Sequence, residues 1–226
     1  MSRPGGGATL ANEDRDFRAW RRGRQRYAVW AIAVDQPDVA AAAAAGRAHL
    51  APYLLPGYRR QPHVTLLPCG FPALVRAWPD DYDCADFHEH LTALARARLT
   101  PFRIAIGGPD SFASAAYLAV ADCDGGIAAA RRALGTDGRE EAGFDYVPHV
   151  TIGLYRGRFP LAEVLGRLQA MPADHPRELA VGALSLLTYE AAAIAGPLTA
   201  VGHFDLADGR WHRAPTAAPS WPDQAP

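Results

Sequence analysis

Two His-Val-Thr tripeptides are the residues of this sequence whose types and spacing could do chemistry together. His63-Val64-Thr65 and His149-Val150-Thr151 lie one in each half of the chain, and each directly follows a proline. In a β-strand alternate side chains share a face, so the imidazole and the hydroxyl of each tripeptide point one way and the valine points the other. Two such strands facing each other across a cleft would present two imidazoles and two hydroxyls to one substrate. Because the pKa of histidine lies near neutrality, this pairing predicts a symmetric general acid–base site.

The elements that must position the tripeptides can be predicted from the pattern of apolar residues. Both tripeptides stand in apolar, β-branched runs typical of buried strands, PHVTLL and PHVTIGLY. Periodicity and turn residues predict helices over about 37–55, 84–99, 126–135 and 160–169, and strands over about 27–34, 63–69, 102–107, 115–121, 148–155, 180–188 and 199–206. Helices and strands alternate, yet some strands form hairpin-like pairs. We therefore expect an α+β fold with two pseudo-symmetric lobes of mixed, largely antiparallel β-sheet and outer helices, around a central cleft that carries the two His-x-Thr strands.

The two ends of the chain differ in composition from its middle. Residues 1–25 are rich in Gly, Arg and Asp without hydrophobic periodicity, which predicts a disordered head. Residues 207–226 are rich in Pro and Ala and are predicted to form a disordered tail, although Trp211 and Trp221 could dock locally. A single bilobal domain over residues 26–206 remains.

The composition is that of an ordinary globular protein and excludes several classes. The chain has 226 residues, of which 49% are hydrophobic, and its formal net charge of −1 lacks the positive excess typical of proteins that bind long nucleic acids. Every basic residue is an arginine, so no lysine can act as a nucleophile. Three cysteines are too few for a disulfide framework, and no apolar run approaches the roughly 20 residues that span a bilayer. We expect a cytoplasmic monomer with no membrane partner.

The tripeptides and their surroundings resemble the two-histidine phosphoesterase superfamily, and within it the RNA 2′,3′-cyclic phosphodiesterase / 2′–5′ RNA ligase group. The motif of that family is a histidine, a small or apolar residue and a threonine or serine, and it occurs twice. The likeness extends from the opening strand YAVWAIAV through YVPHVTIGLY to the closing GPLTAVGHFDL, which is about residues 26–206.

The resemblance implies a hydrolase that opens a 2′,3′-cyclic phosphate at an RNA or nucleotide end to a 2′-phosphate, with reversible 2′–5′ RNA ligase activity as an open further reaction. By the same resemblance His149 would be the base that activates water, and His63 the acid that protonates the leaving ribose oxygen. Thr65 and Thr151 would donate hydrogen bonds to the non-bridging phosphate oxygens. This scheme needs no metal ion and no other cofactor.

Four residues near the motifs are further candidates for substrate contact. Arg60 precedes the first tripeptide, and Tyr155 and Arg156 follow the second. An arginine can hold a phosphate and an aromatic ring can stack on a base. The structural alternative for these three is a solvated loop with a tyrosine packed on the lobe edge. Phe112, in the turn DSFAS, is either a base-stacking platform or an apolar plug for its lobe.

One other cluster, His88-Glu89-His90, has side chains that could bind a metal ion. Side chains two residues apart on a helix point about 200° apart, so His88 and His90 cannot share one ion, and no metal site is predicted.

Two alternative functions stay open at this level. The first is hydrolysis of a small cyclic-phosphate nucleotide or an ADP-ribose derivative, which the near-neutral net charge favours because long RNA would favour a basic groove. The second is a non-catalytic RNA- or nucleotide-binding module on the same fold. The paired His and Thr residues argue against the second, since binding alone does not need two imidazoles.

Overall fold

Two β-sheets form the framework of the protein. A computed structural model describes residues 7–13, 15–136, 145–171, 176–215 and 221. The first sheet has six strands in the order β10-β9-β8-β1-β2-β3, which are β1 (Arg26–Ala33), β2 (His63–Pro72), β3 (Asp81–Tyr82), β8 (Ala183–Glu190), β9 (Leu198–Asp205) and β10 (Trp211–Arg213). The second has four in the order β6-β5-β4-β7, which are β4 (Phe102–Ser111), β5 (Ala115–Asp122), β6 (His149–Leu154) and β7 (Arg177–Val181). All neighbours are antiparallel except β2 and β3. The predicted α+β class with largely antiparallel sheets is confirmed.

The four longer helices share one apolar core with the valines of the two His-x-Thr strands. The helices are α1 (Arg18–Arg21), which has no buried residue, α2 (Pro37–His49), α3 (Cys84–Ala97), α4 (Gly126–Ala133) and α5 (Leu161–Gln169). Val64 of β2 and Val150 of β6 are fully buried in one apolar core. Each of the four longer helices adds a side chain to that core, namely Val39, Phe87, Ile127 and Val164. The opposite face of each strand is therefore left to the histidine and the threonine.

Local sequence signals account for where these helices begin. Pro37 occupies the first turn of α2, where its missing N–H costs nothing. α3 is preceded by a capping box, in which the Asp83 side chain accepts from the Asp86 N–H and the Asp86 side chain accepts from the Asp83 N–H. α4 begins at Gly126, where a Cβ would fall 2.1 Å from the Phe102 ring. Glycine therefore allows the start of α4 to lie directly against β4.

One predicted strand is in fact two strands in different sheets. In place of a single strand over 180–188, β7 ends at Val181 and β8 begins at Ala183. β7 pairs with β4 in the four-stranded sheet, whereas β8 pairs with β1 in the six-stranded sheet. The chain thus passes from one sheet to the other at Gly182, which is exposed.

The described residues of the predicted head pack against the lobe of the four-stranded sheet, whereas composition predicted disorder for them. Thr9 is fully buried, its N–H donates to the Phe159 carbonyl and its hydroxyl donates to the Gly157 carbonyl. The Asn12 amide donates to the carbonyls of Ser114 and Tyr155. These partners lie more than 100 positions away along the chain, so composition alone could not reveal them.

The described part of the tail also has ordered contacts. Trp211 begins β10 and packs edge-on against Trp30 and Phe87, and Trp221 packs edge-on against Tyr82. Both tryptophans therefore dock locally, while residues 216–220 and 222–226 of the predicted tail lie outside the described residues. None of the helices in the described ranges is long and apolar enough to cross a membrane.

Candidate active site

The two histidines are held in the same way by their own strands. The Nδ1 atom of His63 lies 2.8 Å from the Gln61 carbonyl oxygen, and that of His149 lies 2.7 Å from the Val147 carbonyl oxygen. A carbonyl can only accept, so each Nδ1 carries the hydrogen and each neutral ring has its lone pair on Nε2. The intervening proline explains the recurrence of this geometry, because it restricts the residue before it to an extended conformation. Each Nε2 is thus the atom that can take or give a proton.

Burial favours the neutral form of both imidazoles. Desolvation lowers the pKa of His63 to about 4; the Gln61 carbonyl opposes this shift, and the charges of Arg60 and His149 add to it. Burial also lowers the pKa of His149, against the opposing effect of the Val147 carbonyl. β2 and β6, the strands that carry the two histidines, contact each other although they belong to different sheets.

An aromatic wall surrounds His149. The Phe112 ring meets the imidazole edge-on at 4.8 Å, and the Tyr117 ring lies 5.4 Å from it. Phe112 and Tyr117 stack on each other at 4.1 Å. The Phe112 side chain is only 2% exposed, so it has no free surface for a nucleobase. It fits the apolar plug and not the base-stacking platform. Tyr117 was absent from the sequence-based site, and its place follows from its register opposite Thr151 in the sheet.

The threonines lie beside the histidines and are only partly covered. Thr65 and Thr151 are half-buried, and each shares its strand face with the histidine two residues before it. Burial raises the pKa of the Tyr58 hydroxyl, against smaller opposing effects of Arg60, Arg47 and Thr151. The half-exposed position leaves both threonines accessible to a bound molecule.

Tyr146 and Arg131 join the two His-x-Thr strands, and both were missed from the sequence. The Tyr146 hydroxyl donates to the Thr65 carbonyl at 2.8 Å, and the Arg131 side chain donates to the Leu66 carbonyl. The Arg131 guanidinium also lies 3.5 Å from the centre of the Tyr146 ring. The sequence offered one signal for Tyr146, which is its position: it stands three residues before His149, as Arg60 stands three residues before His63.

Arg60 lies near His63. Its charge acts on His63, its guanidinium lies 4.0 Å from the centre of the Tyr189 ring, and its buried Nε has no hydrogen-bond partner among the described residues. A positive charge near the imidazole of His63 is suited to attract an anion.

Tyr155 and Arg156 have other roles. Tyr155 is fully buried and its hydroxyl lies 2.6 Å from that of Ser111, so its ring belongs to the core and cannot stack on a base. Arg156 is exposed and its Nε donates to the Pro52 carbonyl at 2.7 Å, which ties it to the turn after α2. We therefore leave both out of the proposed site.

The histidines of α3 have separate surroundings. His90 is buried with its Nδ1 2.8 Å from the Tyr82 hydroxyl, whereas His88 is exposed. Throughout the described ranges, no three His, Cys, Asp or Glu side chains are grouped so that they could hold a metal ion.

Comparison with known proteins identifies the family of this chain. The family model of the 2′-5′ RNA ligase superfamily matches residues 35–193. The chain belongs to this superfamily. Membership supports a phosphoesterase- or ligase-type enzyme acting on RNA or nucleotides.

Two solved structures have the same fold as this chain, at low sequence identity. The protein TT0787 of Thermus thermophilus matches with a TM-score of 0.52 and 20% identity, covering 80% of this chain and 97% of that one. E. coli LigT complexed with 3′-AMP matches with a TM-score of 0.50 and 16% identity, covering 80% of this chain and 98% of that one. At such identities the likeness is one of fold alone. No curated protein matches the chain.

Proposed function

We propose that His63 and His149 are the general acid–base pair of a metal-independent phosphodiesterase that opens 2′,3′-cyclic phosphates of RNA or nucleotide ends to 2′-phosphates. The observation that supports this most is the matched pair of Nδ1–carbonyl hydrogen bonds. It leaves the two Nε2 atoms, on strands of different sheets that contact each other, as a pair that can take up and release protons together.

In the proposed reaction one histidine accepts a proton and the other donates one. The Nε2 of His149 accepts a proton from water, whose oxygen forms a bond to phosphorus. The bond from phosphorus to the 3′ oxygen breaks, and protonated His63 gives its proton to that oxygen. The product carries a 2′-phosphate and a 3′ hydroxyl, and exchange with solvent resets the two rings. Ligation would follow the same steps with the 5′ hydroxyl of a second RNA end in place of water, so that its oxygen bonds to phosphorus as the bond to the 3′ oxygen breaks and a 2′–5′ phosphodiester forms.

Because the pKa values of both histidines are lowered, the histidine that acts as the acid would become protonated only when the substrate binds. Before substrate binds, both imidazoles would be neutral at pH 7 because burial disfavours their charged forms. An anionic phosphate placed between them favours protonation of one ring, which raises its pKa towards the working range. The site would thus acquire its acid as it acquires its substrate.

Thr65, Thr151 and Arg60 would bind the phosphate oxygens. The two half-buried threonines face the same way as the imidazoles, and their hydroxyls can donate to the non-bridging oxygens where charge develops. Arg60 would supply positive charge through a guanidinium whose Nε lacks a partner among the described residues. These contacts hold the phosphorus in line between the water and the leaving oxygen.

The test is incubation with a panel of 2′,3′-cyclic mononucleotides and cyclic-phosphate-ended oligonucleotides, with and without EDTA. We expect 2′-phosphate products by phosphorus NMR, unchanged by EDTA. His63→Asn should abolish turnover, because Asn retains a donor near Nδ1 and lacks Nε2. The matched control His88→Asn, at an exposed position of α3, should leave turnover intact. A 3′-phosphate product, or full activity of His63→Asn, would contradict the proposal. Turnover of small nucleotides alone would indicate the small-nucleotide alternative.

A further inference from the structure

A row of aromatic rings extends away from the proposed site. Tyr189, Tyr27 and Trp20, here called the aromatic track, follow one another with ring-centre distances of 5.5 Å and 5.3 Å. Arg60 stands at the near end, 4.0 Å from the centre of the Tyr189 ring. Phe71 supports the far end, since its buried ring contacts both Trp20 and Tyr27. The track therefore starts at a residue that already acts on His63.

The track lies on the same face of the six-stranded sheet as the first His-x-Thr motif. Tyr27 is paired with Tyr189, and on the same strand Ala33 is paired with His63. Directly opposed residues of antiparallel strands share a face, and so do positions an even number apart on β1. Ala33 and Tyr27 are six positions apart along β1, which is about 20 Å at the rise of a β-strand. A mononucleotide held at the histidines would not reach Trp20.

The exposure and charge of the track suit a polyanion with flat bases. Trp20 is 41% exposed, and Tyr27 and Tyr189 are half-buried, so each ring keeps surface towards solvent. Arg60 supplies positive charge at the near end, and at the far end the Arg24 guanidinium lies 3.5 Å from the centre of the Phe71 ring, paired with Asp80 and Asp81. Aromatic rings with arginines beside them bind single-stranded nucleic acid by stacking and by phosphate contact. Trp20 and Tyr27 precede the matched span 35–193, so the far end of the track is built outside the family match.

We propose that the aromatic track binds the bases of single-stranded RNA on the 5′ side of the cyclic phosphate, so that the preferred substrate is an oligonucleotide. This rests on the proposed function, because it needs the cyclic end at the two histidines. Since the cyclic phosphate is at the 3′ end, the rest of the chain must leave the site in one direction, and the track provides a surface from Arg60 outwards. The bases stack on rings and need no specific sequence.

The experiment compares two substrates on three variants. KM and kcat are measured for a 2′,3′-cyclic mononucleotide and for an oligonucleotide with the same cyclic end. Trp20→Leu keeps apolar packing on Phe71 but removes the flat ring, and it should raise KM for the oligonucleotide about tenfold while KM for the mononucleotide stays the same. Trp20→Phe keeps a flat ring and should retain most of the affinity. The control Trp78→Leu removes a comparably exposed tryptophan, 46% exposed, whose ring contacts Arg22 and none of the three track rings among the described residues.

The outcomes separate failure of the track from failure of the chemistry. An oligonucleotide KM unchanged in Trp20→Leu, or a loss shared by Trp78→Leu or by the mononucleotide, would overturn the track. Binding of a fluorescent oligonucleotide ending in a 2′-phosphate, followed by anisotropy, tests the track without turnover. If neither substrate is hydrolysed by the unmodified protein, the proposed function fails, and the anisotropy still shows whether Trp20→Leu weakens RNA binding about tenfold.

Discussion

Acidification from pH 7 to pH 4 should destabilise this protein mainly through its buried histidines. The pKa of His63 is lowered from 6.5 to about 4 by burial, whereas in the unfolded chain it returns to its ordinary value. Between these values the unfolded state binds a proton that the folded state does not. Stability linked to His63 is therefore complete above pH 6.5 and is lost as the pH falls towards 4. The gap of about 2.5 pH units corresponds to about 3 kcal/mol of unfolding free energy.

Between pH 7 and pH 4 the effect of histidine protonation on the unfolding free energy can be separated from that of carboxylate protonation. Arginine side chains hold the pKa values of Asp80 and Asp124 below the ordinary 3.8, so the stability they contribute is lost only below that pH. His149 has a lowered pKa and adds to the loss in the same direction as His63.

Urea unfolding followed by tryptophan fluorescence at several pH values from 7 to 4.5 measures the effect. In His63→Asn the unfolding free energy should depend on pH much less than in the unmodified protein, by up to about 3 kcal/mol across the window. The exposed His88→Asn is the matched control and should keep the original dependence. An equal pH dependence in His63→Asn and the unmodified protein would refute the argument that His63 is buried and neutral.

Three further predictions concern catalysis. Because both histidine pKa values are lowered, the maximum of kcat/KM should lie below pH 6.5 and that of kcat at higher pH, as measured by initial rates across pH; coincident maxima at or above neutrality would contradict this. Thr65→Val and Thr151→Val should each lower kcat about 10- to 1000-fold with the pH profile retained, while the exposed Thr100→Val should have no effect. Asn12→Ala removes donors to Ser114 and Tyr155, so it should lower stability by about 1–2 kcal/mol and lower kcat more than it changes KM; unchanged values of both would show that the head does not position Phe112 and His149.

The parts of the fold that depend on local pattern were predictable. The strand at each His-x-Thr motif follows from alternation within a few residues, and so does burial of Val64 and Val150. The strand over 180–188 was not predictable in its true form, because β7 and β8 form one apolar run in the sequence and their division depends on which sheet each joins. The head was missed because Thr9 and Asn12 find their partners only in the folded chain.

The same distinction applies to the candidate site. The histidines and threonines could be named from type and spacing, and Arg60 from its position before the motif. Tyr155 and Phe112 could not be assigned, because an aromatic side chain near a motif has the same sequence signal whether it faces substrate or core. Tyr146 acts through a contact with the other lobe, the Thr65 carbonyl, which no local pattern encodes.

The most direct test of the paired histidines is a comparison of His63→Asn, His149→Asn and the double variant on one 2′,3′-cyclic mononucleotide. Groups that act as a unit are not additive, so each single variant should lose nearly all turnover and the double variant should lose little more. All three should fold, as shown by circular dichroism, since Asn retains a donor for the carbonyl two residues before it. Near-full activity in either single variant, or losses that multiply in the double variant, would contradict a shared acid–base mechanism.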